Sequence, residues 1–323
     1  MKSIILFSMF NPTEIIFSTT TSCNMKCPHC FINRNPSSLN SDDAIKLMKS
    51  AGLSEFSQIE KIGFSGGEPF LAMDFLCQVI KAAIDLDFMF DRIMTNGDWW
   101  KKEDDLCSSL QKIYDAGYDG KIGLSYDGFH GQNEERIISF IKNVWDFFGT
   151  DSLEIQSVKN QEEDSGLSPS AMLKSLAKRL NLNYEENISE SGRGIVTLSD
   201  DKHFLPAYIQ PESYQAKDSR AFKDSKWFED DFCEGPGQIL FVHATGDIAP
   251  CCGFANENKA LFIGKITDSF DQIMENAGKN PMIRICYEKG LSQLIQPLAD
   301  KVPGKSADIC TFCDFVCKQP LSI

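Results

Sequence analysis

Cys23-Asn24-Met25-Lys26-Cys27-Pro28-His29-Cys30 sets three thiols in a CxxxCxxC spacing just after a predicted strand. Iron–sulfur clusters usually take four cysteines, so three with no fourth in reach leave one iron open, and an open metal position is where a reactant binds. Read alone, the same stretch also fits a small zinc site, with Cys23, Cys27, His29 and Cys30 as a Cys₃His set. A second group of thiols lies far downstream, at Cys233, Cys251, Cys252, Cys310, Cys313 and Cys317. Cys77, Cys107 and Cys286 fall singly in helical patterns and read as core thiols.

Other chemistry-bearing residues gather at the ends of predicted strands. Phe64-Ser65-Gly66-Gly67-Glu68-Pro69 closes the second strand, where two glycines let a backbone approach a ligand and Glu68 supplies an acceptor. Thr95-Asn96-Gly97 closes the third and Ser125-Tyr126-Asp127-Gly128 the fourth. Asn96, Ser125 and Asp127 are placed to reach a ribose or substrate, although Asn-Gly and Asp-Gly are also ordinary turn dipeptides. Ser191-Gly192-Arg193-Gly194 follows the sixth predicted strand and offers a planar guanidinium fork to a carboxylate, or a surface arginine.

The elements that must position these residues alternate between β-rich runs and helical patterns, the sign of βα units around a parallel sheet. Strands are predicted at Glu14–Thr19, Ile59–Ser65, Phe90–Thr95, Lys121–Tyr126, Leu153–Val158 and Tyr184–Glu190. Helices are predicted at Ser41–Ala51, Met73–Leu86, Lys102–Ala116, Gln132–Phe148 and Pro169–Leu180, with Ser41 and Ser168-Pro169 as starts. A closed (β/α)₈ barrel takes about 250 residues, and here the pattern stops near residue 195. The expected fold is therefore α/β: an open, partial (β/α)₆ TIM barrel over 1–198, a bridging segment over 199–231 and a small C-terminal domain over 232–323. Parallel α/β sheets bind ligands at the carboxyl ends of their strands, which is where the three-cysteine loop and the other strand-end motifs lie.

Composition narrows the partners. The chain has 323 residues, 42% of them hydrophobic, with 46 acidic against 32 basic side chains and a net charge of −14. That charge repels phosphate backbones and anionic membrane surfaces, so neither nucleic acid nor membrane is an expected partner, and a basic peptide or neutral small molecule is easier to accommodate. No run approaches the ~18 apolar residues of a membrane span, and Met1 to Phe10 lacks the pattern of a signal peptide. A cytoplasmic location follows as an expectation, and in a reducing compartment twelve cysteines read as ligands, catalytic groups or fillers rather than disulfides.

The cysteine loop followed one βα unit later by Gly66-Gly67-Glu68 resembles the radical S-adenosylmethionine (SAM) enzymes over roughly residues 13 to 195. The resemblance implies that Cys23, Cys27 and Cys30 ligate a [4Fe–4S] cluster whose open iron is chelated by SAM, and that Gly66, Gly67 and Glu68 contact SAM. It places His29 where an aromatic ring lies beside adenine, and Arg193 where it pairs with the SAM carboxylate. Cys233, then Gly246 and Cys251, then Cys310-Thr311-Phe312-Cys313 resemble the auxiliary-cluster domain called SPASM, or twitch in its shorter form. Carried over, Cys233, Cys251, Cys310 and Cys313 hold one auxiliary [4Fe–4S] cluster, with a hairpin over Ile239–Val242 and Gly246–Ile248. Cys317 follows Cys313 after three residues, departing from the longer pattern, and either replaces Cys313 or stays idle; a zinc quartet is the other reading.

Cys252 adjoins a proposed ligand, and neighbours in extended chain point to opposite faces. The adjacent pair resembles the radical SAM peptide epimerases, which implies Cys252 as hydrogen-atom donor to a Cα radical; read by itself, Cys252 is equally an alternative cluster ligand or a buried small residue. The expected function is hydrogen abstraction from a ribosomally made precursor peptide by a 5′-deoxyadenosyl radical, with L- to D-epimerisation, served by a flavodoxin- or ferredoxin-type electron donor. Thioether or carbon–carbon crosslinking and small-molecule alcohol oxidation are sister readings. A non-catalytic zinc or iron–sulfur protein is the reading of another class. Met1 to Thr13 is too short for a separate leader-peptide-binding domain.

Overall fold

The computed structural model describes residues 10–33, 35–159, 168–189, 192–229, 233 and 237–320. Glu190, the predicted end of the sixth strand, and Ser191 lie outside the described residues. The chain divides into two compact units, one of Ser18–Ser41 and Ile62–Glu212, the other of Met1–Phe17, Asp42–Lys61 and Ser213–Ile323.

The first part of the chain alternates as the pattern predicts: β1 (Glu14–Ser18), α1 (Ser41–Leu53), β2 (Lys61–Ser65), α2 (Met73–Asp85), β3 (Met89–Thr95), α3 (Glu103–Asp115), β4 (Lys121–Ser125), α4 (Glu134–Phe148), β5 (Leu153–Lys159) and α5 (Pro169–Leu180). Three strands then follow in succession, β6 (Asn183–Ile188), β7 (Gly194–Ser199) and β8 (Phe204–Pro211).

Within the unit of Ile62–Glu212 the strand order is β2-β3-β4-β5-β8-β7-β6. Strands β3, β4, β5 and β8 run parallel. Their middles are short apolar runs such as Ile122-Gly123-Leu124, buried on both faces as parallel strands under helices must be. The helices fit by amphipathy and capping. α4 buries Ile137, Phe140, Ile141 and Val144, and the Asn133 side chain accepts from the backbone N–H groups of Glu135 and Arg136. α5 starts as predicted, with the Ser168 hydroxyl accepting from Ala171 N at 3.3 Å and Pro169 in the first turn.

The sixth parallel strand is not the predicted one. β6, read as that strand, is an outer strand antiparallel to β7, while β8 lies parallel to β5 with Ile155 opposite Ala207. Exposure explains the swap: most of β6 is exposed, whereas Leu205, Ala207 and Ile209 of β8 are buried in strict alternation. Pro206 and Pro211 disguised β8, so the stretch read as a bridge from 199 to 231 contains a strand of the sheet.

The other unit joins both ends of the sequence. β9 (Ile239–Val242) and β10 (Asp247–Ala249) form the predicted hairpin, turned at Gly246 with φ 83°, and β11 (Gly264–Lys265) pairs with β10. β9 also runs parallel to β1, from Glu14 opposite Ile239 to Phe17 opposite Val242. α6 (Phe270–Lys279), α7 (Pro281–Arg284) and α8 (Ile309–Cys317) complete it. The tie to α1 includes Ser54 Oγ donating to Asp271 Oδ1 at 2.6 Å and Phe270 N donating to Ser50 Oγ at 2.9 Å. The compact units thus cut across the linear division 1–198, 199–231 and 232–323, because β1 takes its partner from the far end of the chain.

Candidate active site

The segment that leads into Cys23 is laid directly against the end of β2. Thr19 N donates to Ser65 O at 2.8 Å, Gly67 N to Thr20 O at 2.6 Å and Glu68 N to Ser22 O at 2.8 Å. A Cβ on Gly67 would stand 2.2 Å from Ser22 O, and one on Gly66, whose φ is +145°, would stand 2.8 Å from Thr20 O. The sequence reading gave these glycines to a ligand. In the structure what approaches them is the protein's own backbone, and their smallness sets where the cysteine loop begins.

Glu68 is fully buried and acts as a clasp. Its Oε1 accepts from Thr95 Oγ1 at 2.8 Å and Phe70 N at 3.2 Å, and its Oε2 from Asn96 N at 2.9 Å. Burial nevertheless outweighs those three donors and pushes its carboxyl up to about 7. These bonds tie the end of β2 to the end of β3 beside the cysteine loop. Asn96 carries the tie onward, its Nδ2 donating to Asn24 Oδ1 at 2.9 Å and reaching Cys23 Sγ at 3.8 Å. The Cys23 sulfur also accepts from Met25 N at 3.4 Å, and a turn from Cys27 O to Cys30 N, 3.1 Å, sets the last two thiols.

The end of β4 supplies a second clasp. Asp127 is buried, its Oδ1 accepting from Phe129 N at 3.0 Å and facing His130 Nδ1 at 2.7 Å, its Oδ2 accepting from Val158 N at 3.2 Å at the end of β5. Burial opposes charge on His130, yet the Asp127 carboxylate and the Cys27 sulfur together lift the imidazole to about 10. His29 lies in the same aromatic group, 4.7 Å from the Phe129 ring and 5.2 Å from that of His130. Its Nδ1 is buried without a hydrogen-bond partner, and burial lowers its pKa. Ser125 contributes its carbonyl: Gln132 Nε2 donates to both Ser125 O and Asn96 O at 2.6 Å. Arg193 is exposed at the turn between β6 and β7, where Gly194 pairs with Ile209 and Ile209 with Ser157, so its backbone sits at the same end of the sheet. His130, Gln132 and Asn24 were not singled out from the sequence, because none belongs to a spaced pattern.

The second thiol set is built in the other unit. Cys233, Cys251, Cys286, Cys310 and Cys313 line one apolar cavity together with Pro250, Leu261 and Tyr287. Cys286 is the correction here: it is no isolated core thiol, since its sulfur lies 3.8 Å from that of Cys313 and its carbonyl accepts from Cys233 N at 3.2 Å. Cys317 neighbours Cys313 but lines a different, open groove beside Ala260, Lys279 and Met282. Burial pushes the Cys233 thiol up to about 12 and raises Cys251 and Cys310 well above the usual range. Cys251 is buried and Cys252, next to it, is exposed. Cys77 and Cys107 are half-buried rather than core, their thiols donating to Lys112 O at 3.7 Å and Asn143 Oδ1 at 3.1 Å.

Both donor sets are thiols, the ligands that iron–sulfur clusters and structural zinc share. Among the described residues the group of three candidate ligands held within 4.8 Å of one another is His29, Asp127 and His130, and no three thiols are drawn together that closely. Among the described residues no helix is long and apolar enough to cross a membrane.

Comparison with known proteins agrees. Residues 15–138 match the family model described as a 4Fe-4S single cluster domain. The putative peptide biosynthesis protein YydG of Bacillus subtilis (strain 168) is 22% identical over 94% of this chain and 92% of its own length. The antilisterial bacteriocin subtilosin biosynthesis protein AlbA of the same organism is 21% identical over 82% of this chain and 60% of its own. An S-adenosylmethionine-dependent nucleotide dehydratase of Fibrobacter sp. (strain UWH6) is 33% identical over 36% of this chain and 34% of its own length. The cysteine loop seated on its glycine turn and the second thiol cavity in the other unit agree with these likenesses, and together they support the resemblance of the chain to radical SAM enzymes with a SPASM-like iron–sulfur domain.

Proposed function

We propose that the chain acts on a ribosomally made precursor peptide and epimerises L- to D-residues, with Cys252 as the hydrogen-atom donor. Cys23, Cys27 and Cys30 would hold the SAM-binding [4Fe–4S] cluster, and Cys233, Cys251, Cys310 and Cys313 an auxiliary one. These cofactors supply a 5′-deoxyadenosyl radical able to take the Cα hydrogen; the protein's part is to bind, orient and exclude water. Cys252 then delivers its hydrogen atom to the opposite face of Cα. The S–H bond breaks, the Cα–H bond forms, and one electron and one proton restore the thiol. A flavodoxin- or ferredoxin-type protein provides electrons, the reaction belongs in the cytoplasm, and Arg193 pairs with the SAM carboxylate.

The observation that carries this reading is the difference between two adjacent cysteines past β10: Cys251 is buried and lines the thiol cavity, while Cys252 is exposed beside it. An S–H bond is weak enough to serve a carbon radical, and the exposed position makes it reachable. Support also comes from YydG and AlbA, whose names place them in peptide and bacteriocin biosynthesis. A net charge of −14 suits a basic peptide.

The test incubates the peptide encoded beside the gene with reduced enzyme and SAM in D₂O. One deuterium at a Cα per epimerised residue is expected, with turnover lost in Cys252→Ala while SAM cleavage continues. A product two hydrogens lighter would establish crosslinking instead, and a Cys252→Ala enzyme that still epimerises would remove the assigned role.

A further inference from the structure

We infer that Cys286 is an alternate ligand of the auxiliary centre, serving the same iron as Cys313. The inference rests on the auxiliary-cluster reading above and concerns a thiol that no spacing pattern contains.

Five thiols line one cavity, and a four-iron cluster has four corners to fill. Cys233, Cys251 and Cys310 each approach from a separate stretch of wall: Cys233 ahead of β9, Cys251 after β10 and Cys310 at the start of α8. Cys286 and Cys313 do not approach separately, because their sulfurs are 3.8 Å apart. In hydrogen-bond contact, the two sulfurs share one part of the wall and present two thiols to a single corner of the cavity. Both thiols are buried, at 3% and 8% exposure, so neither is a surface group that happens to lie near.

Local structure holds Cys286 where it is. It sits in the π-helical turn Ile285–Lys289, a geometry found mostly at functional positions. The turn is pinned on both sides of the thiol: Cys286 O accepts from Cys233 N at 3.2 Å, and the Tyr287 hydroxyl donates to Pro250 O at 2.9 Å. Those two bonds connect the turn to the residues beside two other cavity thiols, Cys233 and Cys251. A Cβ on Gly237 would stand 2.7 Å from the Tyr287 hydroxyl and 3.0 Å from Cys233 Sγ, so the glycine keeps this corner open.

The exchange is balanced without redox change. Cys286 gives its proton to Cys313 as it takes over the iron, one S–Fe bond forms as another breaks, and charge and electron count stay constant. Such a pair lets the centre survive loss of one ligand.

The experiment isolates the auxiliary centre by replacing Cys23, Cys27 and Cys30 with alanine, then adds Cys317→Ser so that α8 offers no substitute. After anaerobic reconstitution this background is expected to hold about four irons per chain. If it holds none, the auxiliary reading itself fails, separately from the role of Cys286. Given iron in the background, Cys313→Ser alone and Cys286→Ser alone are each expected to keep it, while the double Cys286→Ser/Cys313→Ser loses it. Loss in either single variant, or retention in the double, would overturn the inference. Far-UV circular dichroism checks folding. If the Cys313 variants do not fold, iron release to a chelator decides: Cys286→Ser should lose iron several-fold faster than the background, and an unchanged rate would overturn the inference.

Discussion

Glu68 shows how a single buried carboxyl organises the strand ends. Its pKa is raised to about 7, so the folded state holds the proton more tightly than the unfolded chain. Its contribution to stability is therefore full below the ordinary carboxyl range and lost as pH rises toward about 7, a change on the order of 3 kcal/mol from the shift. Urea denaturation at pH 5 and pH 8 should show that loss, and Glu68→Gln should flatten it; a slope that persists in the variant would place its origin elsewhere. Asp127 has the complementary role, and Asp127→Asn should cost about 1–3 kcal/mol of unfolding free energy while lowering the His130 pKa from about 10. The chain has four histidines, so NMR titration resolves the second effect. At this scale Cys23, Cys27 and Cys30 were legible because their spacing is local. Cys286 was not, since its partner Cys313 lies 27 residues away and only folding brings the two sulfurs together. The clasp role of Glu68 was hidden for the same reason, its donors being Thr95 and Asn96 of another strand end.

Among the elements, the turn after β2 and the strand β9 carry the sharpest expectations. Gly67→Ala forces a Cβ to within 2.2 Å of a backbone oxygen that has no room to withdraw. The variant should lose about 1–3 kcal/mol or more, and iron bound through Cys23, Cys27 and Cys30 should fall with it, as metal analysis of the reconstituted protein would report. Leu240, wholly buried in β9, should cost about 2–5 kcal/mol on truncation to alanine, read from thermal or urea unfolding. Helices α2 to α5 and strands β2 to β5 were readable to within a few residues because each has its own period and caps. β8 was not, because two prolines broke its pattern while burial of Leu205, Ala207 and Ile209 kept it in the sheet. β6 looked like the better strand by composition, yet among the described residues it has no strand partner beyond β7.

For the whole molecule, the defining fact is that the unit containing both chain ends is assembled from three separated segments. A chain ending at residue 231 would keep β1 and α1 but lose β9, the parallel partner that β1 has within that unit. It should therefore show amide exchange markedly faster than in the full chain through residues 14–17; exchange as slow as in the full chain would mean that β1 is held without the C-terminal region. The (β/α) alternation was evident from the sequence, but this closure was not, because no local signal announces a strand whose neighbour is so distant. Synthesis gives the closure a timetable. Asn11 N meets Gln238 Oε1 across 227 residues, and at ~5–20 residues per second the ribosome takes roughly 10–45 s to make that stretch. Until then the first strand waits as an unsatisfied edge on a nascent polypeptide, a template for mispairing that chaperones would have to shield.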